Sequence, residues 1–491
     1  MLSGSKDGVF RSAGYGAPCA RRGTLRPYSG RAQSEAQTST GHRGSFLHLT
    51  MDSLAFMRVF ERGAYPFGMN ILLPAPTPSS RQLTMVGHID ATPPELEPLE
   101  TAEIDQLEKG WRPDAQVCLS ISRRTTSCLR RAVTGGLQLG ASGLCAAAST
   151  ALGPPGAVLG LVGLGFQVWG LRSLVRAGLD ILVKSEPAWS GTRTYEVGPD
   201  VRSHRIDSPL VSIRPALKPE PSELTHFMAD ALQRFPAQVT ACMVSGHGTA
   251  YQSLAGFDVA QWKQMLEDVA VQSGRKFDVL VCESCLTGNL EALRQLKDTA
   301  RYAVVSAQTM EAEGLPWTSI MKGLPSVGLT AEGFARSIVA QADAAGAVQT
   351  LAVVDLARIE PLAEAVENLG GALRQAVAAG EAAQVADALG GARVLGLKNP
   401  IVQSLFSMRD LGEIAARVEK HVNDPASRNA ARAVTQACRQ AVVTGVTDAD
   451  HAGSSFISVQ GPQRFFLADD YRKKTGFEAW SGLLTDLSAR R

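Results

Sequence analysis

From residue 81 onward the sequence alternates short apolar, strand-like runs with segments of helical periodicity. That alternation constrains its fold more than any other feature. "RQLTMVGHID", "DAQVCLSIS", "QVTACMVSGHG", "KFDVLVCESC", "RYAVVSAQ", "QTLAVVDLA" and "SSFISVQ" read as strands. "PPELEPLETAEIDQLEKGW" reads as an acidic loop and helix, "PSELTHFMADALQRF" as a helix with a serine cap, and "FDVAQWKQMLEDVAVQSG" and "LEALRQLKD" as helices. A helix between two strands carries the chain back to the edge it left, so the second strand pairs parallel to the first. The pattern therefore predicts a three-layer α/β/α architecture with a mostly parallel sheet.

Other features narrow the class. The chain has 491 residues, of which 45% are apolar and 20% charged, with a net charge of +2. Such a balance supplies a core but no basic footprint, so nucleic acid is not expected as a partner. Its cysteines, at 19, 118, 128, 145, 242, 282, 285 and 438, follow no disulfide rhythm, and no second Cys-x-x-Cys completes a zinc site. Reduced thiols and the absence of a signal-like apolar core near the N-terminus lead us to expect a cytoplasmic location. Residues 1–68, rich in Gly, Ser and Arg, read as a disordered or non-native leader, with Met51 and Met69 as candidate starts.

Between Arg131 and Arg172 no residue is charged. "GPPG" at 153–156 divides this stretch into limbs at 132–152 and 157–171, and the first spans about 31 Å as a helix, close to a bilayer core. Small residues such as Gly136, Gly140, Gly160 and Gly163 would allow close helix packing. Thr134, Gln138, Ser142 and Ser149 point the other way. Two readings stay open: a membrane hairpin through 132–171, or a buried soluble hairpin or oligomer contact.

The chemistry gathers at two strand exits. One run ends "SGHGT", with His247 between two glycines; the other ends "CESCLTG", with Cys285 at the exit. The spacing between them accommodates one crossover helix, so adjacent parallel strands would bring both residues to the carboxyl rim of the sheet, where open α/β sheets place their sites. Strand alternation separates the two cysteines: Cys282 lies inside the strand as a small buried hydrophobe, while Glu283 shares a face with Cys285. An ordinary thiol is mostly protonated at neutral pH, so a neighbouring histidine is what would activate Cys285. The backbone N–H groups of Gly248 and Cys285 could together form an oxyanion hole.

At these residues the sequence resembles the clostripain-like cysteine peptidases, of the clan that includes caspases, legumains and gingipains. The clan pattern is an apolar strand ending His-Gly followed by an apolar strand ending acid-small-Cys, here "ACMVSGHG" and "DVLVCESC". The likeness extends over residues 81–124 and 188–491, which makes 81–491 the peptidase domain and 125–187 an apolar hairpin insertion within it. The resemblance implies a caspase–hemoglobinase fold and endopeptidase cleavage after arginine, or lysine, of a polypeptide substrate. It also implies a dyad of His247 and Cys285, and a specificity pocket lined by acids. Glu283, two residues before the cysteine, matches one such acid, and Glu311 or Glu313 would supply another. A carboxylate beside Cys285 would raise the thiol's pKa unless imidazolium offset it. The chemistry calls for no metal, though calcium serves some relatives. Self-cleavage at a basic site near "LRR" (129–131) or "LVRAG" (174–178) is also implied. Glu283 departs from the family's usual aspartate, and "HGTAY" from its longer glycine run. Two rivals remain at this stage: a non-enzymatic caspase-like scaffold, and a membrane-active effector released by its own peptidase domain.

Overall fold

In the computed structural model, nine strands among the described residues hydrogen-bond into a single sheet. The structure describes residues 81–93, 96–124, 189–202, 205–311, 314–396, 407–463 and 466–490. The chain divides into two units, Met1–Pro74 and Ala75–Arg491, and every described residue belongs to the second. The expected leader (1–68), the whole apolar insertion (125–187) with the stretch 132–171 inside it, and Glu313 lie outside the described residues. Among the described residues no helix is long and apolar enough to cross a membrane.

The strands are β1 (Leu83–Ala91), β2 (Ala115–Arg124), β3 (Ser190–Glu196), β4 (Leu210–Arg214), β5 (Val239–Ser245), β6 (Phe277–Glu283), β7 (Ala300–Val305), β8 (Thr350–Asp355) and β9 (Val442–Thr447). They lie in the order β9-β8-β7-β6-β5-β1-β2-β3-β4. The central run β7-β6-β5-β1-β2 is parallel throughout. Antiparallel strands flank it, with β8 and β9 on one side and β3 and β4 on the other.

Side-chain alternation along the central strands sorts two cores, one on each face of the sheet. Cys242, Val244, Leu280 and Cys282 pack into one, while Ala241, Met243, Val279 and Val281 pack into the other. The second core is covered by α1 (Glu97–Lys109), α5 (Trp317–Lys322) and α6 (Ala331–Ala345). The first is covered by α2 (Pro221–Arg234), α3 (Val259–Ser273), α4 (Leu290–Leu296) and α7 (Ile359–Ala376). It is extended by α8 (Ala382–Gly390), α9 (Leu411–His421), α10 (Pro425–Ala441), α11 (Ala468–Thr475) and α12 (Glu478–Ser488). The expected three-layer, mostly parallel architecture is thus present. Both faces of the central strands are covered, which is why their sequences read as continuous apolar runs.

Two local expectations are corrected. Glu220 occupies the N-cap position of α2 without a side-chain capping bond, and the helix begins with Pro221, whose fixed φ suits the first turn, so Ser222 lies within the helix and is not its cap. "SSFISVQ" contributes only the short strand Ser458–Gln460, in a separate three-stranded sheet with Met408–Asp410 and Val394–Leu395. The serines before it are held as a turn: Ser454 and Ser455 both hydrogen-bond the Asp410 carboxylate, and Phe456 has φ of 63°. Three strands of the main sheet, β3, β4 and β9, are not among the runs read as strands in the sequence, and β9 has the weakest signal. It follows α10 without a turn signal and is half-exposed along its length.

Candidate active site

The β5–β6 ladder fixes the two exits level with each other. Ser245, the last residue of β5, is the register partner of Glu283, the last of β6. Two residues further along each chain stand His247 and Cys285. The crossover between the strands is the single helix α3, as the spacing predicted. Just beyond the ladder, the Gly246 N–H still donates to the Glu283 carbonyl at 3.3 Å, which carries the pairing into the loops.

His247 is exposed, on a loop that turns back on itself. The Ala255 N–H donates to the His247 carbonyl (2.8 Å) and the Thr249 N–H to the Ser253 carbonyl (3.0 Å). These bonds straddle an antiparallel bridge between Gly248 and Leu254. That pair is of the non-hydrogen-bonded kind, so the Gly248 N–H points out of the ladder. Gly248 lies hard against the nucleophile turn: a β-carbon there would overlap the Cys285 carbonyl oxygen. The two N–H groups expected to form an oxyanion hole therefore belong to backbones in contact.

Cys285 is half-buried and sits in a strained turn, with Leu286 immediately after it at φ of 59°. The turn is over-determined. The Leu286 N–H donates to the Gln308 carbonyl (3.0 Å), the Asn289 side-chain amide donates to the Leu286 carbonyl (2.6 Å), and the Thr287 hydroxyl donates to the Ser284 carbonyl (3.3 Å). Asn289 also accepts from the Ala292 N–H at 2.8 Å, capping α4 and anchoring the turn to a helix. The Met310 N–H reaches the Cys285 sulfur at 3.4 Å. Two residues before Met310, the buried Gln308 amide accepts from the Thr309 N–H (3.0 Å) and bonds His451 Nε2 at 2.8 Å, while His451 Nδ1 meets Asp448 at 2.6 Å.

Burial pushes the Cys285 thiol above its ordinary range; the Met310 N–H pulls it back and the Glu311 carboxylate adds to the rise. The sequence had cast Glu283 in that last part. The strand ends at Glu283, so the alternation that would set its side chain beside Cys285 stops there. Its carboxyl lies instead in the buried layer beneath α1 and α5. It accepts from the Leu315 N–H and from Trp317 Nε1 (2.8 Å), and it hydrogen-bonds the Glu103 carboxyl. Burial raises the Glu283 pKa. Glu311 is exposed and accepts from Gln349 (3.0 Å). Cys282 is buried, its thiol pushed up to about 12 by desolvation, as its place inside the strand implied.

Several of these residues escaped sequence reading. Glu103, Gln308, Met310, Asp448, His451 and Trp317 are ordinary in sequence and are brought together only by tertiary contacts. Glu103 and Gln308 lie in runs read only as a helix and a strand, "PPELEPLETAEIDQLEKGW" and "RYAVVSAQ", and Met310 and Trp317 flank the acids Glu311 and Glu313. Elsewhere, Asp105, Glu108 and Asp200 place carboxylate oxygens within 4.8 Å of one another, a group able to hold a cation. Lys109 pairs with Asp105 (2.6 Å), and Glu108 accepts from the Asp207 N–H (2.8 Å) and from the Ser208 N–H.

A secreted cysteine protease from Bacteroides thetaiotaomicron, solved with an irreversible peptide inhibitor, superposes with a TM-score of 0.50 at 10% identity, covering 82% of this chain and 99% of that one. An inactive zymogen of a protease from Parabacteroides distasonis superposes with a TM-score of 0.49 at 12% identity, over 82% of this chain and 99% of the other. No curated protein matches the chain. The sequence profile described as the clostripain family matches residues 217–486, more than half of the chain and the part that carries both strand exits. The chain therefore belongs to the clostripain family and is a cysteine peptidase.

Proposed function

We propose that the protein is an endopeptidase that cleaves polypeptides after a basic residue, arginine before lysine, by a dyad of His247 and Cys285. The observation that supports this reading is the Ser245–Glu283 register pair, from which His247 and Cys285 each follow by two residues at the ends of adjacent parallel strands. Cys285 attacks the scissile carbonyl, and the developing oxyanion is received by the N–H groups of Gly248 and Cys285. His247 polarises the thiol and gives its proton to the leaving amine, and water then releases the acyl group from sulfur. Glu283 and Glu311, together with Glu313, which the resemblance implies, supply the negative charge that a guanidinium requires.

The test is hydrolysis of short fluorogenic peptides ending in Arg, Lys, Asp or Ala, before and after limited trypsin treatment. The expected result is release from the Arg and Lys peptides and none from the Asp peptide. Cleavage confined to Asp or Ala peptides would refute the specificity.

The thiol offers a separate check on the dyad. Burial raises the Cys285 pKa, so without imidazole the thiol is protonated at neutral pH and ionises only as the pH rises above the usual thiol range. In a His247→Ala variant, alkylation of Cys285 by iodoacetamide should therefore climb about tenfold per pH unit from 7 to 9. The unmodified enzyme should react faster at pH 7 and depend less on pH. Identical profiles would rule out an interaction between the two groups.

A further inference from the structure

The nucleophile turn is zipped to the segment that follows β7. The Leu286 N–H donates to the Gln308 carbonyl (3.0 Å), the Gly288 N–H to the Ser306 carbonyl (2.7 Å), and the Ser306 N–H to the Thr287 hydroxyl (3.2 Å). The Met310 N–H, at the end of this zipper, reaches the Cys285 sulfur. On the side of that segment away from the turn stands an acid–imidazole–amide chain that the dyad does not use. Asp448 caps the short turn Ala449–His451 after β9 and accepts from His451 Nδ1 at 2.6 Å, while His451 Nε2 meets Gln308 Nε2 at 2.8 Å. Gln308 and His451 are 2% and 7% exposed.

The backbone decides where the protons of this chain lie. Gln308 Oε1 is taken by two main-chain donors, the N–H groups of Thr309 (3.0 Å) and Gly396. Turning the amide over would set N–H against N–H, so Gln308 Nε2 donates toward His451. His451 Nε2 must then be the acceptor, which leaves the ring proton on Nδ1, given to Asp448. Gln308 is also a junction: its carbonyl holds Leu286, its N–H reaches the Ser306 and Thr350 hydroxyls (3.2 and 3.1 Å), and the Gly396 that it binds lies beside the Leu286 side chain.

We infer that His451 is a positioning residue of the active site: held by Asp448, it fixes Gln308 and so keeps the Met310 N–H, two residues on, against the Cys285 sulfur. This rests on Cys285 as the nucleophile and adds to its support a loop from the β9 edge of the sheet. The Met310 N–H touches the reacting atom itself. It favours the thiolate by more than the nearby Glu311 carboxylate opposes it.

The experiment follows alkylation of Cys285 by iodoacetamide, read by mass spectrometry of the peptide that carries it. The full-length chain bears His247→Ala, so that the thiol titrates without its partner. Into that background go His451→Phe, which keeps a ring but removes the acceptor, and His451→Gln, whose side-chain oxygen can stand where Nε2 stands. With His451→Phe the profile should move to higher pH, making alkylation between pH 7 and 8 about three- to tenfold slower. With His451→Gln the rates should stay within about twofold of the background. A merely structural role predicts the opposite sign, since a loosened fold exposes the sulfur and speeds its alkylation. Rates unchanged or raised by His451→Phe would overturn the assignment. An equal slowing by His451→Gln would also overturn it, because the effect would then trace to the lost ring and not to the acceptor. If His451→Phe does not fold, nitrogen-15 NMR of the histidine-labelled wild type serves, with the His451 ring assigned by its disappearance in His451→Gln. A proton on Nδ1 supports the chain, and one on Nε2 overturns it. Neither readout uses a peptide substrate, so failure here is told apart from failure of the dyad, which peptide hydrolysis reads.

Discussion

Replacing Cys285 with alanine is expected to reduce peptide hydrolysis by about 10⁴-fold or more, to the limit of detection, because no second group can form the acyl intermediate. His247→Ala should cost about 10²- to 10⁴-fold, the usual range for losing a general acid–base. Neither change removes much buried surface: His247 is exposed and Cys285 half-buried, so melting temperatures should stay near that of wild type. Cys282 provides the internal control. It is 3% exposed within β6, its thiol held protonated by burial, and Cys282→Ala should keep kcat/KM within severalfold while losing a little stability. Activity that survived Cys285→Ala but not Cys282→Ala would reverse the assignment of nucleophile and bystander.

The second large effect is expected at Gly248. Here the constraint is steric: the alanine β-carbon would overlap the Cys285 carbonyl oxygen and lie 3.1 Å from the Ser284 β-carbon. The loop and the nucleophile turn must separate to admit it, which withdraws the Gly248 N–H from the place where an oxyanion would form. Gly248→Ala should therefore lower kcat about 10²- to 10³-fold, as losing an oxyanion donor does, and destabilise the fold by about 1–3 kcal/mol. Gly371, inside α7, has nothing within 4 Å of the same construction. Gly371→Ala should leave activity unchanged and raise stability by about 0.5–1 kcal/mol through helix propensity. Comparable kcat values for the two variants, measured on the same peptide, would remove Gly248 from the site.

What could be read from the sequence was the part governed by periodicity. Apolar runs separated by one helix implied that β5 and β6 are parallel neighbours, and from that followed the shared rim of His247 and Cys285 and the burial of Cys282. Direction and pairing at the sheet margins could not be read the same way. A run such as "QTLAVVDLA" carries the same hydrophobic pattern whichever way it lies, and only tertiary packing makes β8 antiparallel to β7. The alternation argument also failed where the strand stopped. It assigned Glu283 to the side of Cys285, but beyond Glu283 the chain turns through Leu286 in a left-handed conformation and the period of two no longer applies. Glu103 was out of reach altogether, since a glutamate in an acidic helix gives no sign that it will face another across two layers of structure.

The ends of β2 and β3 hold a last consequence. Arg124 and Ser190 are register partners in an antiparallel ladder that runs back to Cys118 and Glu196. Just before that end, Arg123 is buried against Glu97, and its guanidinium and that of Arg193 both stack on Trp189, at 5.2 and 4.3 Å. The chain thus leaves the sheet and rejoins it at a clasped pair of residues, whatever the length or nature of what lies between. Covalent continuity across 125–188 is not what holds the two strands in register; seven pairs of the ladder and the aromatic clasp do that. A fragment ending near Arg124 and one beginning near Ser190, with β5, β6 and the nucleophile turn on the second, are therefore expected to co-elute as one folded body after a cut between them, and separation on size-exclusion chromatography would contradict this.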